Sequence, residues 1–537
     1  MRKYLDAWMR THGRIPRLYV QLSRNMAQMK NIDILYPVGD PVFIHIYTRP
    51  DGTRVYNPVE PRLVENRESL IAEVEKRLAM LIKDEVPVLP EDKEKKIYEL
   101  LDRVVVLSGY TKIGKKIHVS REDYEKLKYE VYCEKIGLSI LEPFVRDPYI
   151  EDISCPGIGP IYVVHKVFGA LETTISFDNL EDLDNFIIRL SEIIGKPVSY
   201  RNPIVDSILP DGSRINIVFG RDISRRGSNF TIRRFPGKPL SITQLINFGT
   251  MDSRVAAYLW MLLEEGMSIW VCGETASGKT TTLTAMSVFI RPTAKIVSIE
   301  DTPEVYVPHG NWVREVVRQS ERITSNGLRA VTMFGLLKAA LRQRPNFIIV
   351  GEIRGEEGNI AFQAMQTGHP VLATFHAASI QKLIQRLTGY PINVPKTYID
   401  NLNAVIVQSV VHDPETGRFN RRVISVNEIL GYDSVEDSFQ FIELFRWDPS
   451  TDRFLFKGLG SSFLFETKLS IMRGVPGYRI KELYDELELR AEILELLVKL
   501  KVFDYDEVWE KIKWVHSVGI SRAYSKLKNL AFIKGRA

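Results

Sequence analysis

Cysteine is nearly absent from this chain: Cys133, Cys155 and Cys272 are the only three in 537 residues. An odd, sparse set without metal-ligand spacing excludes a disulfide-stapled secreted scaffold and a thiolate zinc site. No run of about 18 apolar residues is present, which excludes a transmembrane helix. The first residues, Met-Arg-Lys-Tyr-Leu-Asp, contain no apolar signal region. The protein is therefore expected to be cytoplasmic, with any membrane contact peripheral or made through a partner. Internal repeats and low-complexity tracts are also missing. So is a strong charge imbalance, since the formal net charge is +5. Residues 1–30 hold Arg2, Lys3, Arg10, Arg14, Arg17, Arg24 and Lys30 against Asp6 alone. The rest is nearly neutral, so a general nucleic-acid surface is not expected.

What is present is an ordinary globular composition, 45% hydrophobic and 26% charged, long enough for roughly two to four domains. Residues 1–30 read as a basic arm, with Tyr4, Leu5, Trp8 and Met9 at helical spacing before a Gly13 and Pro16 break. That stripe and the arm's cations suit docking to a partner or to an anionic membrane surface. A solvated arm is the competing reading. Residues 31–235 read as a mixed α+β domain. Strands are expected at 42–47 and 53–56 around a Pro50-Asp51-Gly52 turn, and at 161–164 and 214–219. Helices are expected over 67–85, 91–106, 121–140 and about 180–195. Pro236-Gly237-Lys238-Pro239 is the linker candidate, placed at 236–240, because two prolines and a glycine do not continue an element. From 241 to 537 the pattern is α/β. Strands at 269–271, 295–299, 347–350 and 371–375 alternate with helices at 279–290, 329–343 and 356–366, and the last residues from Lys481 are helical. Such alternation implies a parallel sheet with ligands at the strand C-termini.

Gly273-Glu274-Thr275-Ala276-Ser277-Gly278-Lys279-Thr280 matches G-x4-G-K-[ST], with an apolar strand before it and a helix after it. Glycines let backbone N–H groups turn around phosphates. Lys279 neutralises their charge, Thr280 ligates Mg²⁺, and the helix N-terminus favours an anion. With Thr281, this run is the expected ATP-binding segment, and Mg²⁺ the expected metal.

A phosphate-loop enzyme also needs a carboxylate on the Mg²⁺ side and a residue that orients water. Two acidic sites qualify. Glu352 follows the apolar strand Phe347-Ile-Ile-Val350 and Gly351, and Glu300, Asp301 and Glu304 follow the strand at 295–299. His369 and His376 flank the strand at 371–375. The strand exit places His376 better to sense a γ-phosphate. Arg214, Arg221, Arg225, Arg226, Arg233 and Arg234 crowd one upstream stretch. They could bind nucleic acid, form a solvated basic face, or reach a neighbouring subunit's nucleotide. Phe219, Phe230 and Phe235 do not form an RNA-recognition pattern.

Together the phosphate loop, the acidic box Ile299–Glu304, Val350-Gly-Glu-Ile-Arg354 and the box Thr367-Gly-His-Pro-Val-Leu-Ala-Thr-Phe-His376 resemble the type II/IV secretion ATPase superfamily. The runs 141–154, 209–214, 222–229 and 339–345 are most similar to the archaellum motor ATPases of that group. The resemblance implies a homo-hexamer, with a RecA-like P-loop domain behind an α+β N-terminal domain and nucleotide bound between the two. It implies Glu304 as water-orienting base, Glu352 on the Mg²⁺ side, Glu300 and Asp301 in support, and His376 as nucleotide sensor. Arg214 and Arg233 become finger candidates, with Arg225 and Arg226 behind them. The implied partner is a polytopic membrane platform protein. An assembly ATPase of an archaeal pilus or secretion system shares the same motifs. A nucleic-acid translocase on the same core is disfavoured by the neutral body.

Overall fold

The computed structural model describes residues 2–63, 67–82, 93–107, 117–234, 237–318, 330–412 and 419–534. The chain divides into two compact units, Met1–Pro236 and Gly237–Ala537. Of the linker candidate, Pro236 lies outside the described residues. Lys238 belongs to the second unit, where its ammonium donates to Asp504 at 2.7 Å.

The first unit is built on a ten-stranded mixed sheet. Its order runs Arg17–Leu18, Asp33–Pro37, Phe43–Thr48, Arg54–Val59, Gly169–Phe177, Gly159–His165, Ile150–Cys155, Asn229–Arg233, Arg214–Val218, Ile204–Ile208. Helix Leu180–Ile193 contributes Leu183, Ile187 and Leu190 to its core. Helices Arg67–Ile82, Lys93–Val104 and Arg121–Lys135 form a separate small core around Val74, Leu101 and Leu127. The expected helix positions 83–85 and 91–92 fall outside the described residues.

The arm corrects an expectation. Helix Arg2–His12 forms, but its aromatic stripe faces the unit's own sheet. Tyr4 shares a 2.6 Å hydrogen bond with the buried His45 and accepts one from Asn57. Trp8 stands edge-on to His45 with ring centroids 4.4 Å apart, and also meets Tyr47. His45 pairs with Asp33 through Nε2 and with Tyr4 through Nδ1, and Trp8 packs edge-on against its ring, so both aromatics are engaged within the first unit. Met9 stays 45% exposed.

The second unit is an α/β sandwich on a nine-stranded sheet. Trp312–Val316, Ile296–Glu300, Phe347–Ile353, Val371–Phe375, Ile269–Gly273 and Ala404–His412 run parallel. Phe419–Asp433, Ser438–Asp448 and Arg453–Phe456 continue it antiparallel. Strands covered on both faces read as unbroken apolar runs. Ile269 and Val271 enter one core, while Trp270 and Cys272 enter the opposite one. Helix Ser253–Glu264 is apolar almost all round and is correspondingly enclosed. Helices Lys481–Lys499, Tyr505–Val518 and Ile520–Lys534 complete that layer. Arg490 and His516 close on Glu264 there, at 2.5 and 3.1 Å. The region 404–456, for which no element was expected, supplies the sixth parallel strand and the antiparallel extension.

A buried histidine gives the first unit a pH dependence. His165 is 1% exposed, and its Nδ1 accepts N–H groups from Val167 and Phe168. Burial, with a smaller contribution from Lys166, lowers its pKa to about 3. The folded state therefore holds it neutral, and the unfolded chain protonates it first as pH falls. Its contribution is intact above about pH 6.5 and declines by about 1.4 kcal/mol per unit down to pH 3. The difference in urea stability between the parent and His165→Gln, followed in the first unit, should shrink by about 2 kcal/mol from pH 7 to pH 5. A difference independent of pH would show that His165 is not held neutral.

Candidate active site

Strand Ile269–Gly273 lies inside the sheet, so its exit faces other strand exits on both sides. The loop then turns tightly. A Cβ on Gly273 would stand 2.2 Å from the carbonyl oxygen of Gln408, and Gly278 has φ +92°, where a side chain is strained. Helix Lys279–Met286 starts directly after it. Ser277 Oγ and Lys279 Nζ both donate to the Glu274 carbonyl, at 2.8 and 3.0 Å. Ser277 is fully buried, whereas Glu274, Thr275 and Ala276 are exposed. Thr280 and Thr281 are half-buried on the first helical turn.

Three groups meet at the neighbouring exits. Lys279 Nζ is 3.4 Å from His376 Nε2, and that nitrogen is 3.1 Å from Glu352 Oε1. An ammonium can only donate, so the shared nitrogen presents its lone pair to Lys279. Burial and the positive charge of Lys279 lower the pKa of His376, which suits a neutral ring. The approach to Glu352 is then between two lone pairs. Glu352 Oε1 is indeed buried without a hydrogen-bond partner, while Oε2 pairs with Arg354. An orphaned carboxylate oxygen beside a phosphate loop fits a cation or its bound water. Burial lowers the pKa of Lys279 as well, opposed by Glu352 first and by Glu304 further down.

The acidic box is organised by its first member. Glu300 ends strand Ile296–Glu300 with 1% exposure, and its Oε1 accepts the N–H groups of Glu304 and Val305 at 2.8 and 2.7 Å. Burial raises its pKa to about 7, against the pull of those two N–H groups. Its side chain therefore holds the turn that presents Glu304, which is exposed, as is Asp301. Asp301 and Glu304 both lie within Coulombic reach of Arg354.

The remaining candidates belong to other elements. His369 precedes the strand that His376 follows, so about 20 Å of extended chain separates them. It bonds Thr367 at a helix end. Arg214 and Arg233 sit directly opposite one another on antiparallel strands of the first unit, both exposed. Arg225 and Arg226 occupy an exposed turn, where the Arg226 carbonyl accepts the N–H of Ile158.

Two residues of the phosphate loop's surroundings escaped the sequence reading. Gln408 is buried, donates to the Ser277 carbonyl and accepts from Thr282, each at 2.8 Å. A glutamine inside the apolar run Ala404-Val-Ile-Val-Gln-Ser-Val-Val411 was the available signal. Arg421, on the adjacent antiparallel strand, donates to the Ala276 carbonyl at 3.1 Å. Nothing local marks it out, because its placement depends on strand pairing.

Residues 135–434 match the family described as type II/IV secretion system protein. The chain belongs to that family. With an intact phosphate loop and its facing carboxylates, this member is an ATPase. Uncharacterized protein MJ0900 of Methanocaldococcus jannaschii is 45% identical, across 97% of this chain and 95% of its own length. Protein VirB11 of Agrobacterium fabrum is 28% identical, over 46% of this chain and 77% of its own. A solved structure of the Legionella pneumophila ATPase DotB covers 72% of this chain and 94% of its own at 16% identity. Its TM-score is 0.38.

Gly351 tests the acidic turn. A Cβ there would stand 3.0 Å from Glu300 Cγ, and the buried Glu300 side chain has little room to yield. Gly351→Ala should cut ATP turnover at least about tenfold through displacement of the turn carrying Glu304, and leave nucleotide affinity near that of the parent. Steady-state kinetics with a fluorescent-nucleotide titration checks this. Unchanged turnover would separate Glu300 from the function of Glu304.

Proposed function

We propose that this chain is a cytoplasmic, homo-hexameric motor ATPase. It couples hydrolysis of Mg-ATP to archaellum assembly and rotation through a polytopic membrane platform protein. The observation that carries this reading is the meeting of Lys279, His376 and Glu352 at one strand edge, within Coulombic reach of Glu304. The archaellum assignment rests on the resemblance of the runs 141–154, 209–214, 222–229 and 339–345. An archaeal pilus or secretion assembly ATPase would use the same residues. Co-purification of an archaellum rather than a pilus platform protein separates the two. Contact with an anionic membrane would fall to the cations of residues 1–30, since Tyr4 and Trp8 are committed to the sheet.

In this reading the run Gly273–Thr281 cradles the phosphates of ATP, and Lys279 neutralises their charge. Glu304 orients the attacking water and takes its proton, presented by the turn that Glu300 holds, with Asp301 beside it. His376, neutral and touching Lys279, is placed to register occupancy of the γ-phosphate position. Mg²⁺ would be held by Thr280 and by Glu352, partly through water, and supplies charge compensation at the phosphate oxygens. The orphaned Glu352 Oε1 suits that role.

Arg214 and Arg233 supply the further cations in this reading. Two like charges directly opposite on a sheet repel, and an anion placed over them relieves that cost. An arginine at a transferring phosphoryl group is worth about 10³–10⁵ in rate.

Lys279→Ala should abolish productive ATP binding, whereas Glu304→Gln should retain binding and stop turnover. Near-parental turnover by Glu304→Gln would transfer the base to Glu352. For the arginines, subunits carrying Arg214→Ala with Arg233→Ala are mixed with Lys279→Ala subunits under exchange conditions. Recovery of activity is expected, because some interfaces then join an intact Lys279 site to an intact donor. No recovery in rings shown to be mixed would defeat action across subunits, and full activity of the double arginine variant alone would defeat the finger assignment.

A further inference from the structure

Tyr505 is a buried polar group that the ATPase reading leaves unused. It opens helix Tyr505–Val518 and is 1% exposed. Its hydroxyl lies 2.9 Å from Ser287 Oγ, 3.1 Å from the Thr284 carbonyl and 3.4 Å from the Tyr306 carbonyl. Thr284 is on the helix that begins with Lys279, and Ser287 follows that helix. Tyr306 stands two residues beyond Glu304, and its ring meets the ring of Tyr505 edge-on at 5.5 Å. A single phenol thus spans the two segments that carry the phosphate-binding lysine and the candidate base.

The phenol carries one proton for these neighbours. Ser287 Oγ can donate to the Thr284 carbonyl at 2.8 Å or to the phenol oxygen at 2.9 Å. When it donates to the phenol, the proton of Tyr505 is shared between the Thr284 and Tyr306 carbonyls. Burial raises the phenol's pKa further above its ordinary value, which keeps that proton in place.

The segment bearing Tyr505 is itself anchored. Thr243 and Ser241 donate to the carbonyls of Val502 and Phe503, at 2.6 and 2.8 Å. Asp504 caps the helix through the N–H groups of Asp506 and Glu507, and also accepts from Lys238. Residues 502–506 are therefore held by the opening stretch of the second unit on one side, and hold the phosphate-loop helix and the acidic turn on the other.

We propose that Tyr505 is a positioning residue of the ATPase site, fixing the turn that carries Glu304 against the helix that carries Lys279. The inference rests on the ATPase reading above. It assigns the C-terminal helical layer a part in hydrolysis rather than in packing alone. A shift of about 1 Å at a reacting group can cost about 10²-fold in rate, so loss of the tether should appear in turnover before it appears in affinity.

The test is Tyr505→Phe, which retains the ring and removes the hydroxyl, alongside Ser287→Ala and the double variant in the full chain. Expected for Tyr505→Phe is a fall in kcat of about tenfold, with KM for ATP changed less than about twofold and the Tm within a few degrees. The double variant should lose no more than about the worse single variant, because both changes break one network. Hydrogen exchange provides a readout independent of hydrolysis: amides over 304–306 and 284–287 should exchange faster in Tyr505→Phe. Parental kcat and parental exchange would overturn the inference. So would a parallel loss of kcat, affinity and Tm, which marks a packing role. Absence of turnover in the unsubstituted chain would instead refute the ATPase reading, and the exchange comparison would still decide whether Tyr505 holds the turn.

Discussion

Everything in the candidate site depends on one constraint of parallel sheets: neighbouring strands all exit at the same edge. Ile269–Gly273, Ile296–Glu300, Phe347–Ile353 and Val371–Phe375 are far apart in sequence, yet each delivers its following residue to that edge. Lys279, Glu304 and His376 are gathered there because each comes shortly after a strand ends, and Glu352 because it is the last residue but one of its strand. A charged side chain pays heavily for burial within the sheet, whereas at its edge these groups, from the buried Lys279 to the exposed Glu304, can face a ligand.

Around that edge, buried polar residues support more exposed ones. Glu300 is enclosed and holds the turn from which Glu304 projects. Gln408 is enclosed and fastens the phosphate loop at Ser277 and Thr282. Tyr505 links the loop's helix to the far end of the acidic turn. Glu300 ends the second strand in the sheet order, Gln408 lies on the sixth, and Tyr505 opens a C-terminal helix, so three separate elements support the site.

Much of this was legible in one dimension. Four apolar runs of three to five residues marked parallel strands, and the acids and histidine after them marked the edge. Helix ends were less legible: the helix expected over 329–343 runs Met333–Arg342, because Thr332 caps it through the N–H of Gly335. The aromatic stripe of the arm was misread because amphipathicity says only that a face is covered. His45, 41 residues from Tyr4, decides what covers it. No element was expected over 404–456, although Ala404–Val411 is an apolar run; its pairing carries a bulge between Val407 and Gln408.

What the sequence determined by itself was chemistry of short range: the phosphate loop, the acidic box, and the alternation of strand and helix that makes the second unit α/β. Each depends on residues within a few positions of one another, where backbone geometry transmits the pattern directly. Tertiary structure decided what depends on partners distant in sequence: the lone pair that Lys279 takes from His376, the orphaned oxygen of Glu352, the reach of Arg421 to Ala276, and the clasp of Tyr505 on Thr284 and Tyr306. No local pattern encodes these contacts, because strand order and register bring the two sides of each together.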